Sequence, residues 1–520
     1  MKNTFYYIAS LLMAAVLTAC GDEKIAERIG GNEDALTIKH QVGMNVVGRV
    51  TVDGSPREGV VVSDGITVVA TDKNGEYQMR SSGRQHVFVS IPADCELPVE
   101  EGLPKFYKTL DFSKGHIIQR NFNLKRREPS KDFTLVAFAD VQIGGKKDVA
   151  EFVNPVMPGI LSHTSTLKGT VIGISLGDIC WNNTDLYADY KREIVKNNFP
   201  VFSVIGNHDH NAKYHNDTES DIDFRNAFGP TYYSYNIGDW HIVVLDDIFY
   251  RGVTSHNDYD GSITQQQLDW LKKDLAFVDK SKSLIVGLHI PTSRRGSSEP
   301  GISNSNELYA LIKDYHQVNI LSGHVHNNCT TTLAPNMTEY SLGAVMGAWW
   351  NHFEHLGVCN DGSPRGYGVF TFSGNELKDE YYIGDETARD YQLKVYPPKE
   401  ASMRFGRASG ALTSPFDAVP LMTDDTHVLI NIFNWHTTWK VEVKEDDGQW
   451  TVLDRNALCY DPLAVRLLQY GNPWEQRPSA GPGYTDHVFL YSPSNAAWKT
   501  ITARATDPFG NVYTASANHE

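Results

Sequence analysis

Side chains that can bind metal ions recur at the ends of short apolar runs in the middle of the chain. Five successive runs end in such residues, which are Asp140, Asp178, Asn207 with His208 and Asp209, His289, and His324 with His326. Imidazole nitrogens combined with oxygen ligands suit Mn, Fe, Zn or Ni better than Ca. Any one of these residues alone is best interpreted as a cap or a surface residue. The repetition favours a metal site.

The apolar runs themselves predict buried strands, because they are short and continuous. They are Thr134–Ala139, Val171–Leu176, Val201–Ile205, His241–Leu245, Leu284–Leu288 and Val318–Leu321. Helical stretches such as Ser262–Phe277 and Ser305–His316 lie between them, and this alternation predicts a layered α/β domain. Open α/β sheets build their sites at the carboxyl ends of strands, so the metal-binding side chains are expected to converge there.

The order of the motifs resembles that of the calcineurin-like metallophosphoesterases. The motifs are Asp140-Val141-Gln142, Gly177-Asp178, Gly206-Asn207-His208-Asp209, the lone His289, and Gly323-His324-Val325-His326. The resemblance covers residues 133–385, and the Trp349-Trp350 and Asp361–Tyr367 segments resemble the three-domain branch of the family. It implies an α/β core that is a four-layer αββα sandwich, flanked by two β-sandwich domains.

The resemblance also implies a cofactor of two divalent metal ions and a role for each ligand. Asp140 and His326 would hold the first ion, Asp178 would bridge both, and the second would be completed by Asn207, His289 and His324. A bridging carboxylate offsets the repulsion between cations that lie about 3.5–4 Å apart. The implied reaction is hydrolysis of a phosphomonoester or phosphodiester by metal-activated water.

Two catalytic residues and one departure from the family pattern complete this interpretation. His208 is expected to stabilise the transition state or protonate the leaving oxygen, and Asp209 to orient His208. The commonest first motif of the family is Asp-x-His, whereas this chain has Gln142. Gln142 can ligate the first metal, contact the bridging water, or leave that site loosely filled. An active enzyme with altered metal preference is favoured over a degenerate lipoprotein that only binds phosphate or a glycan.

The substrate contacts are predicted from residue type and position. Besides Asn207 and His208, they are Trp181, Arg294 and Arg365. An arginine fork can clamp a phosphate group. The Arg294-Arg295 pair is equally consistent with an exposed loop. The other histidines His210, His215, His241 and His352 have no ligand spacing and are interpreted as surface or structural.

The N-terminus predicts export of the protein and its anchoring to a membrane. Lys2 precedes an apolar run from Phe5 to Leu17, which is too short to span a membrane but suits a signal peptide. Leu17-Thr18-Ala19-Cys20 resembles a bacterial lipobox, which implies lipidation of Cys20. A buried N-terminal helix fits poorly, since polar residues follow at once. The prediction is an extracytoplasmic protein, anchored to a bacterial membrane, with the outer membrane favoured, and either periplasmic or surface-exposed.

The predicted organisation has five parts. They are a signal peptide (1–19), the lipidated Cys20 with a tether (20–42), an N-terminal β-sandwich (43–127), the catalytic domain (131–388) and a C-terminal β-sandwich (391–520). The N-terminal part, through Gly59–Gly65 and Thr71–Tyr77, resembles carboxypeptidase-regulatory-like domains and is interpreted as a spacer or docking module.

The amino-acid composition limits the class of protein and the kinds of partner. With 520 residues, of which 41% are hydrophobic and 21% charged, the chain is neither disordered nor collagen-like. A net charge of −16 argues against a nucleic-acid partner. The expected partners are a phosphorylated small molecule or phosphodiester substrate and a membrane, reached through the lipid. Of six cysteines, the five beyond Cys20 form no Cys-x-x-Cys motif, and both their pairing and the oligomeric state stay open.

Overall fold

A computed structural model describes residues 35–114, 116–128, 130–293, 301–347, 357–401, 426–465, 467 and 482–519. The predicted signal peptide, Cys20, Arg294 and the Trp349-Trp350 pair lie outside these residues. Within them, none of the helices combines the length and the hydrophobicity needed to cross a membrane.

Two β-sheets form the centre of the molecule. The first core sheet has five strands in the order Val201–Val204, Val171–Leu176, Asp132–Phe138, Gly366–Ser373 and Glu376–Gly384. The second core sheet has six, in the order Tyr233–Ile237, Trp240–Val244, Ser283–Gly287, Val318–Ser322, Met337–Ser341 and Cys329–Ala334. In each sheet, the strands that precede predicted ligands run parallel to one another, so these ligands emerge at the same edge.

The side chains of the core strands explain why the sheets stack. Leu135 and Ala137 point into a large hydrophobic cluster that also contains Val243 and Val286 of the second sheet. Their neighbour Val136 belongs to a separate cluster on the outer face. Both faces of these strands are therefore buried, which accounts for continuous apolar runs instead of alternation.

Helices cover the outer face of each core sheet. Those whose apolar residues join the outer cluster of the first sheet are Met157–Thr164, Tyr187–Ile194 and Ile222–Phe228, and Lys146–Glu151 leads into them. Gln265–Leu275 and Ser305–Ile312 pack on the second sheet. The remaining α-helices within the described residues are short: Asp217–Ser220, Pro398–Ala401 and Pro462–Ala464. The predicted helix–sheet–sheet–helix core is confirmed.

The N-terminal region is rich in short strands and packs closely against the core. Its strands are Val46–Val52, Ser55–Pro56, Val61–Ser63, Val68–Ala70, Glu76–Met79, His86–Val89, Val99–Glu100, Leu103–Pro104, Tyr107–Thr109, Ile118–Gln119 and Phe122–Leu124. Phe106 lies 4.5 Å from Tyr233, ring centroid to ring centroid, and Nε1 of Trp270 donates to Oγ of Ser63 at 3.1 Å. Its apolar core is continuous with that of the second core sheet.

The C-terminal region contains two four-stranded sheets. One has the order Leu393–Tyr396, Val428–Ile432, Tyr484–Tyr491 and Ala457–Tyr460, and the other has the order Thr451–Val452, Lys440–Glu445, Thr500–Thr506 and Val512–Asn518. Residues of both sheets, including Ile430 and Ile501, share one hydrophobic cluster. The β-rich regions on both sides of the core agree with the predicted fold class.

All five cysteines beyond Cys20 are buried and free of disulfide bonds. They are Cys95, Cys180, Cys329, Cys359 and Cys459. Packing and hydrogen bonds, and not disulfide bonds, therefore hold the described regions together.

Candidate metal centre

Four of the predicted ligands meet at the carboxyl ends of the core strands. Nε2 of His289 lies 3.3 Å from Oδ2 of Asp178, 3.1 Å from Oδ1 of Asn207 and 3.2 Å from Nδ1 of His324. Ligand atoms of Asp178, His289 and His324 all lie within 4.8 Å of one another. Asp178 and Asn207 come from the first core sheet and the two histidines from the second, so the group joins both sheets.

The other predicted ligands form a second group, and one of its members, Gln142, contacts the carboxylate of Asp178. Nε2 of His326 lies 3.3 Å from Oδ1 of Asp140, and Nε2 of Gln142 donates to Oδ2 of Asp178 at 2.9 Å. The backbone N–H of His324 donates to Oδ2 of Asp140 at 2.8 Å, which links the two groups. Asp178 thus lies between them, where a bridging ligand is expected.

The donor set fits divalent cations. Oδ1 of Asp140 and Oε1 of Gln142 are buried and accept no hydrogen bond from the described part of the chain. Buried polar atoms rarely stay unpaired, and a bound cation or an ordered water would complete the bonding of these two oxygens. Metal–nitrogen bonds of about 2.1 Å give donor–donor separations of roughly 3.0 Å in an octahedron and about 3.4 Å in a tetrahedron. The observed spacings of 3.1–3.3 Å fall in this range.

The electrostatics of the centre also favour a cation. Burial lowers the pKa of His289, but nearby carboxylates, above all Asp178, outweigh burial and raise that pKa to about 10. The carboxylates around His289 thus favour a positive charge at its ring, as a proton or a bound cation would supply. A divalent ion would replace that proton, since a ligating imidazole must be neutral.

The ligand-bearing loops have an unusual backbone. Asp140, Gln142, Asp178, His324 and His326 all have φ between 48° and 68°, in the left-handed region that residues other than glycine seldom adopt. Such strain persists only where the surrounding structure imposes it, and it concentrates at functional sites. The curled backbone turns five side chains inward at the point where their strands end.

Glycines of the predicted motifs make room for these loops. A Cβ atom on Gly206 would lie 2.2 Å from the backbone nitrogen of Asp178, and one on Gly177 would lie 2.5 Å from Nδ1 of His289. Gly177 also has φ of 87°. Glycine is therefore required on steric grounds before both Asp178 and Asn207.

Hydrogen bonds outside the ligand set orient His289. Its Nδ1 donates to the carbonyl oxygen of Leu176 at 2.8 Å, which leaves Nε2 facing the other ligands. Asp247 accepts from the backbone N–H groups of His289 at 3.2 Å and Ile290 at 2.8 Å. Sequence reasoning missed Asp247, although it follows the apolar run 241–245 and so carries the same signal as the ligands.

His208 lies beside the metal centre. It is oriented by Asn182, whereas Asp209 was the predicted partner. Its backbone N–H donates to Oδ1 of Asp178 at 2.8 Å, and its Nε2 lies 4.0 Å from Oδ2 of that residue. Nδ1 of His208 bonds to Oδ1 of Asn182 at 2.5 Å. The ring stacks on Trp181, with centroids 3.9 Å apart and planes 22° apart. Trp181 thus lies beside His208 at the site, and its contact with substrate stays a prediction.

Asp209 supports the loops instead of His208. Its carboxylate accepts from the backbone N–H groups of Gly206, Ile179 and Cys180 and from the hydroxyl of Tyr187. The predicted orienting role therefore belongs to Asn182. Asp209 ties the loop after Asp178 to the loop that carries Asn207.

Arg365 is committed to buried ion pairs. Its Nε donates to Asp385 at 2.9 Å and its Nη1 to Glu151 at 2.6 Å, and the side chain is 1% exposed. These contacts give it a structural role and correct the prediction of a phosphate clamp.

The C-terminal region holds the loop that carries His324 and His326. The carboxylate of Asp361 accepts from the backbone N–H of Asn328 at 2.7 Å and bonds to Nε2 of His487 at 3.1 Å. The N–H of Gly483 donates to the carbonyl of Asn360, whose own N–H donates to the carbonyl of His326. A ligand loop of the core is thereby tied to strand Tyr484–Tyr491.

Family comparisons agree with this geometry. Models described as the N terminal of Calcineurin-like phosphoesterase, Calcineurin-like phosphoesterase, and the C terminal of Calcineurin-like phosphoesterase match residues 44–127, 133–328 and 339–513, respectively. The chain belongs to the calcineurin-like phosphoesterase family. The members of this family are phosphoesterases, which are hydrolases, and the described residues include a group that could hold a metal ion.

Individual relatives are distant. The chain is 29% identical over 146 residues to Purple acid phosphatase 15 of Arabidopsis thaliana, which covers 26% of each protein. It is 23% identical over 210 residues to a probable cyclic nucleotide phosphodiesterase of Fibrobacter succinogenes, covering 36% of this chain and 75% of that protein. The chain thus spans about a quarter of the length of the first relative and three quarters of the second.

Solved structures are similar over about half of the chain. A dimetal phosphatase from Danio rerio is 15% identical, with 50% of this chain and 100% of that chain covered and a TM-score of 0.36. Purple acid phosphatase PPD1 from yellow lupin, Lupinus luteus, is 12% identical, with coverages of 63% and 67% and a TM-score of 0.37. No substrate follows from similarities of this size.

Proposed function

We propose that this protein is an exported, lipid-anchored hydrolase of phosphomonoesters or phosphodiesters that depends on two divalent metal ions. The observation that carries the proposal is the position of Asp178 between two groups of donors, one of them with His289 and the other with Gln142. A single ion would not need two donor groups that share one carboxylate.

The residues present assign a place to each ion. Asp140, Gln142 and His326 would hold the first, Asn207, His289 and His324 the second, and Asp178 both. When bound, such ions lower the pKa of water and neutralise charge on phosphoryl oxygens. The buried carboxylates and fixed imidazoles hold the donors in place before substrate arrives, so little reorganisation is needed.

His208 is positioned to interact with the phosphoryl group or the leaving oxygen. The bond from its Nδ1–H to Asn182 directs Nε2 toward Asp178 and the donor groups. Burial lowers the pKa of His208, which favours the neutral ring in the free enzyme. A negatively charged phosphate beside Nε2 opposes this effect and favours the protonated ring, which donates a hydrogen bond.

The first test is hydrolysis by the purified chain of 4-nitrophenyl phosphate and bis(4-nitrophenyl) phosphate. The protein is treated with EDTA and then supplied with Mn²⁺, Fe²⁺, Zn²⁺ or Ni²⁺. We expect turnover that needs added metal and falls at least ~10³-fold in Asp178→Ala. The exposed Asp447→Asn serves as a matched control for loss of one carboxylate. Turnover that survives both EDTA and Asp178→Ala contradicts the proposal.

One observation supports a second candidate, a lipoprotein that binds phosphate or a glycan without turnover. The amide of Gln142 is bonded to Asp178, where the family pattern has an imidazole ligand. This candidate predicts folded protein that binds fewer than two ions and hydrolyses neither ester. Metal analysis after dialysis, performed beside the assay, distinguishes the two.

Export and membrane anchoring are tested separately from the enzymatic activity. Export and anchoring rest on the signal-like run ending in Leu17-Thr18-Ala19-Cys20. Expressed in a Gram-negative bacterium, the chain is expected in the membrane fraction, and Cys20→Ala is expected to release it or block its processing. Equal membrane association of Cys20→Ala contradicts the lipid anchor.

A further inference from the structure

A hairpin loop beside the metal centre carries a histidine that none of the steps above uses. Residues 251–258 connect strand Ile248–Tyr250 to strand Tyr259–Gly261. Asp258 fixes the loop, since its Oδ2 accepts from the N–H groups of Val253 at 3.0 Å and Thr254 at 3.2 Å.

A second contact holds the same loop. Oδ1 of Asp258 accepts from Nε of Arg251 at 2.8 Å, and the carbonyl oxygen of Gly252 bonds to the ring of His215 at 2.6 Å. The loop is therefore preorganised, and the position of His256 within it is defined by the fold.

His256 is a neighbour of the catalytic histidine. Its ring centroid is 6.1 Å from that of His208, and the two planes are 19° apart. His256 also lies 6.1 Å from Tyr250, with the rings nearly perpendicular. His208 thus has two near-parallel neighbours, Trp181 and His256.

The atoms of this aromatic group have unmet hydrogen-bonding capacity. Nε2 of His256, Oη of Tyr250 and Nε2 of His210 are all buried and make no hydrogen bond with any residue that the structure describes. Tyr250 and His210 are each 1% exposed and stack at 4.7 Å. Of these atoms, Nε2 of His256 belongs to the ring that lies beside His208, and a bound ligand would supply its missing partner.

We propose that Nε2 of His256 donates a hydrogen bond to the leaving oxygen of the substrate. This inference rests on the proposed function. The transferred phosphoryl group belongs to the metal ligands and to His208, whose Nε2 lies 4.0 Å from Asp178. His256 is one ring beyond His208 and therefore meets the part of the substrate that leaves.

The chemistry is electrostatic stabilisation. As the bond between phosphorus and the ester oxygen breaks, negative charge develops on that oxygen. An N–H group directed at the oxygen stabilises this charge while the bond breaks, and the released oxygen then takes a proton from solvent water to give the alcohol. The benefit is greatest for alkyl alcohols, which leave as basic oxygens, and small for 4-nitrophenol. His256 accordingly suits the enzyme to alkyl phosphate esters, such as those of sugars or glycerol.

The test compares His256→Ala and His256→Gln with wild type on a series of phosphomonoesters from 4-nitrophenyl to alkyl. We expect kcat/KM for the alkyl esters to fall about 10²-fold in His256→Ala. The 4-nitrophenyl ester should lose less than about threefold. The inhibition constant of inorganic phosphate, which has no leaving group, should not change. Metal content and the thermal unfolding midpoint should also match wild type.

The controls separate the possible failures. His316→Gln, an exposed histidine after helix Ser305–Ile312, should behave as wild type across the series. Equal losses for all esters, weaker inhibition by phosphate, or no loss at all in a folded His256→Ala would each overturn the role of His256. Absence of turnover in wild type would instead reject the proposed function, and this inference with it.

Discussion

Nε2 of Gln142 donates a hydrogen bond of 2.9 Å to Oδ2 of Asp178, the carboxylate that lies between the two groups of donors. This bond fixes the amide and leaves its Oε1 buried without a partner among the described residues. A neutral amide oxygen is a weaker ligand than an imidazole nitrogen for transition metals. Under the proposed two-metal function, the first metal position is therefore expected to be the weaker one.

Gln142→His should strengthen that position. Imidazole would replace the amide oxygen, and we expect the affinity for the first ion to rise about tenfold or more. Titration of EDTA-treated protein with Zn²⁺ or Mn²⁺ in a calorimeter measures both binding steps. Gln142→Leu provides the opposite change, with weaker binding at the first step alone. Identical isotherms for both variants and wild type would contradict a role of Gln142 in metal binding.

Asn182→Ala should impair catalysis while both ions stay bound. It removes the acceptor for Nδ1 of His208, so the ring loses its preferred tautomer and orientation. Loss of such an orienting partner typically costs 10–100-fold, and we expect kcat to fall by about that factor. The matched variant Asn183→Ala alters the next residue and should retain activity. Reduced metal content in Asn182→Ala would show that the residue acts on the ligands instead.

Gly206→Ala should disrupt the centre as a whole. Its Cβ would lie 2.2 Å from the nitrogen of Asp178 and 2.3 Å from Oδ1 of that residue, so the backbone must shift. We expect loss of the tighter metal site and a lower midpoint of thermal unfolding. Gly145→Ala is the control, because there the nearest atom is 3.8 Å from the added Cβ and φ is −166°. A fully metallated Gly206→Ala would contradict the steric argument.

His487→Phe should weaken metal binding from a distance. The variant removes the bond to Asp361, which holds the backbone of Asn328 just after His326. We expect the affinity for the first ion to fall about tenfold while the second is little affected. His519→Phe, an exposed change in the same region, should have no such effect. Unchanged metal affinity at both sites would mean that the hydrogen bond between His487 and Asp361 contributes only to stability.

Glu380 should make stability depend on pH. Burial raises its pKa to about 8, and its partner Asn434 belongs to the C-terminal region. A folded-state pKa above the unfolded value of about 4.3 means that the favourable contribution is complete below pH ~4 and declines as pH rises toward 8. Glu380→Gln should therefore unfold at higher urea than wild type at pH 8, and much less so at pH 5. The exposed Glu219→Gln should show no such trend, and a parallel curve for Glu380→Gln would refute the assignment.

The ligands could be found from the sequence because their positions follow from topology. Parallel strands of one sheet end at one edge, so Asp178 emerges beside Asn207 in the first core sheet and His289 beside His324 in the second. The same reasoning, applied to the run before Asp247, would have found that residue as well.

Other residues could not be assigned because their partners lie far away in the chain. Arg365 is of a residue type that can clamp a phosphate group, but its ion-pair partner Glu151 is 214 positions away in the sequence. Asn182 and Asp209 are equally plausible partners for His208 by type, and only the ring orientation distinguishes them. His256 lies in a hairpin loop whose position relative to His208 no local pattern reveals.

The hydrogen bond between His487 and Asp361 also determines when the metal centre can be completed during synthesis of the protein. The two residues are 126 positions apart, and every metal ligand precedes both of them. At about 5–20 residues per second, a ribosome needs roughly 6–25 s to cover that distance. During this interval the loop that carries His324 and His326 lacks the partner that holds it. The metal centre is therefore fully secured only after strand Tyr484–Tyr491 has been made and has docked.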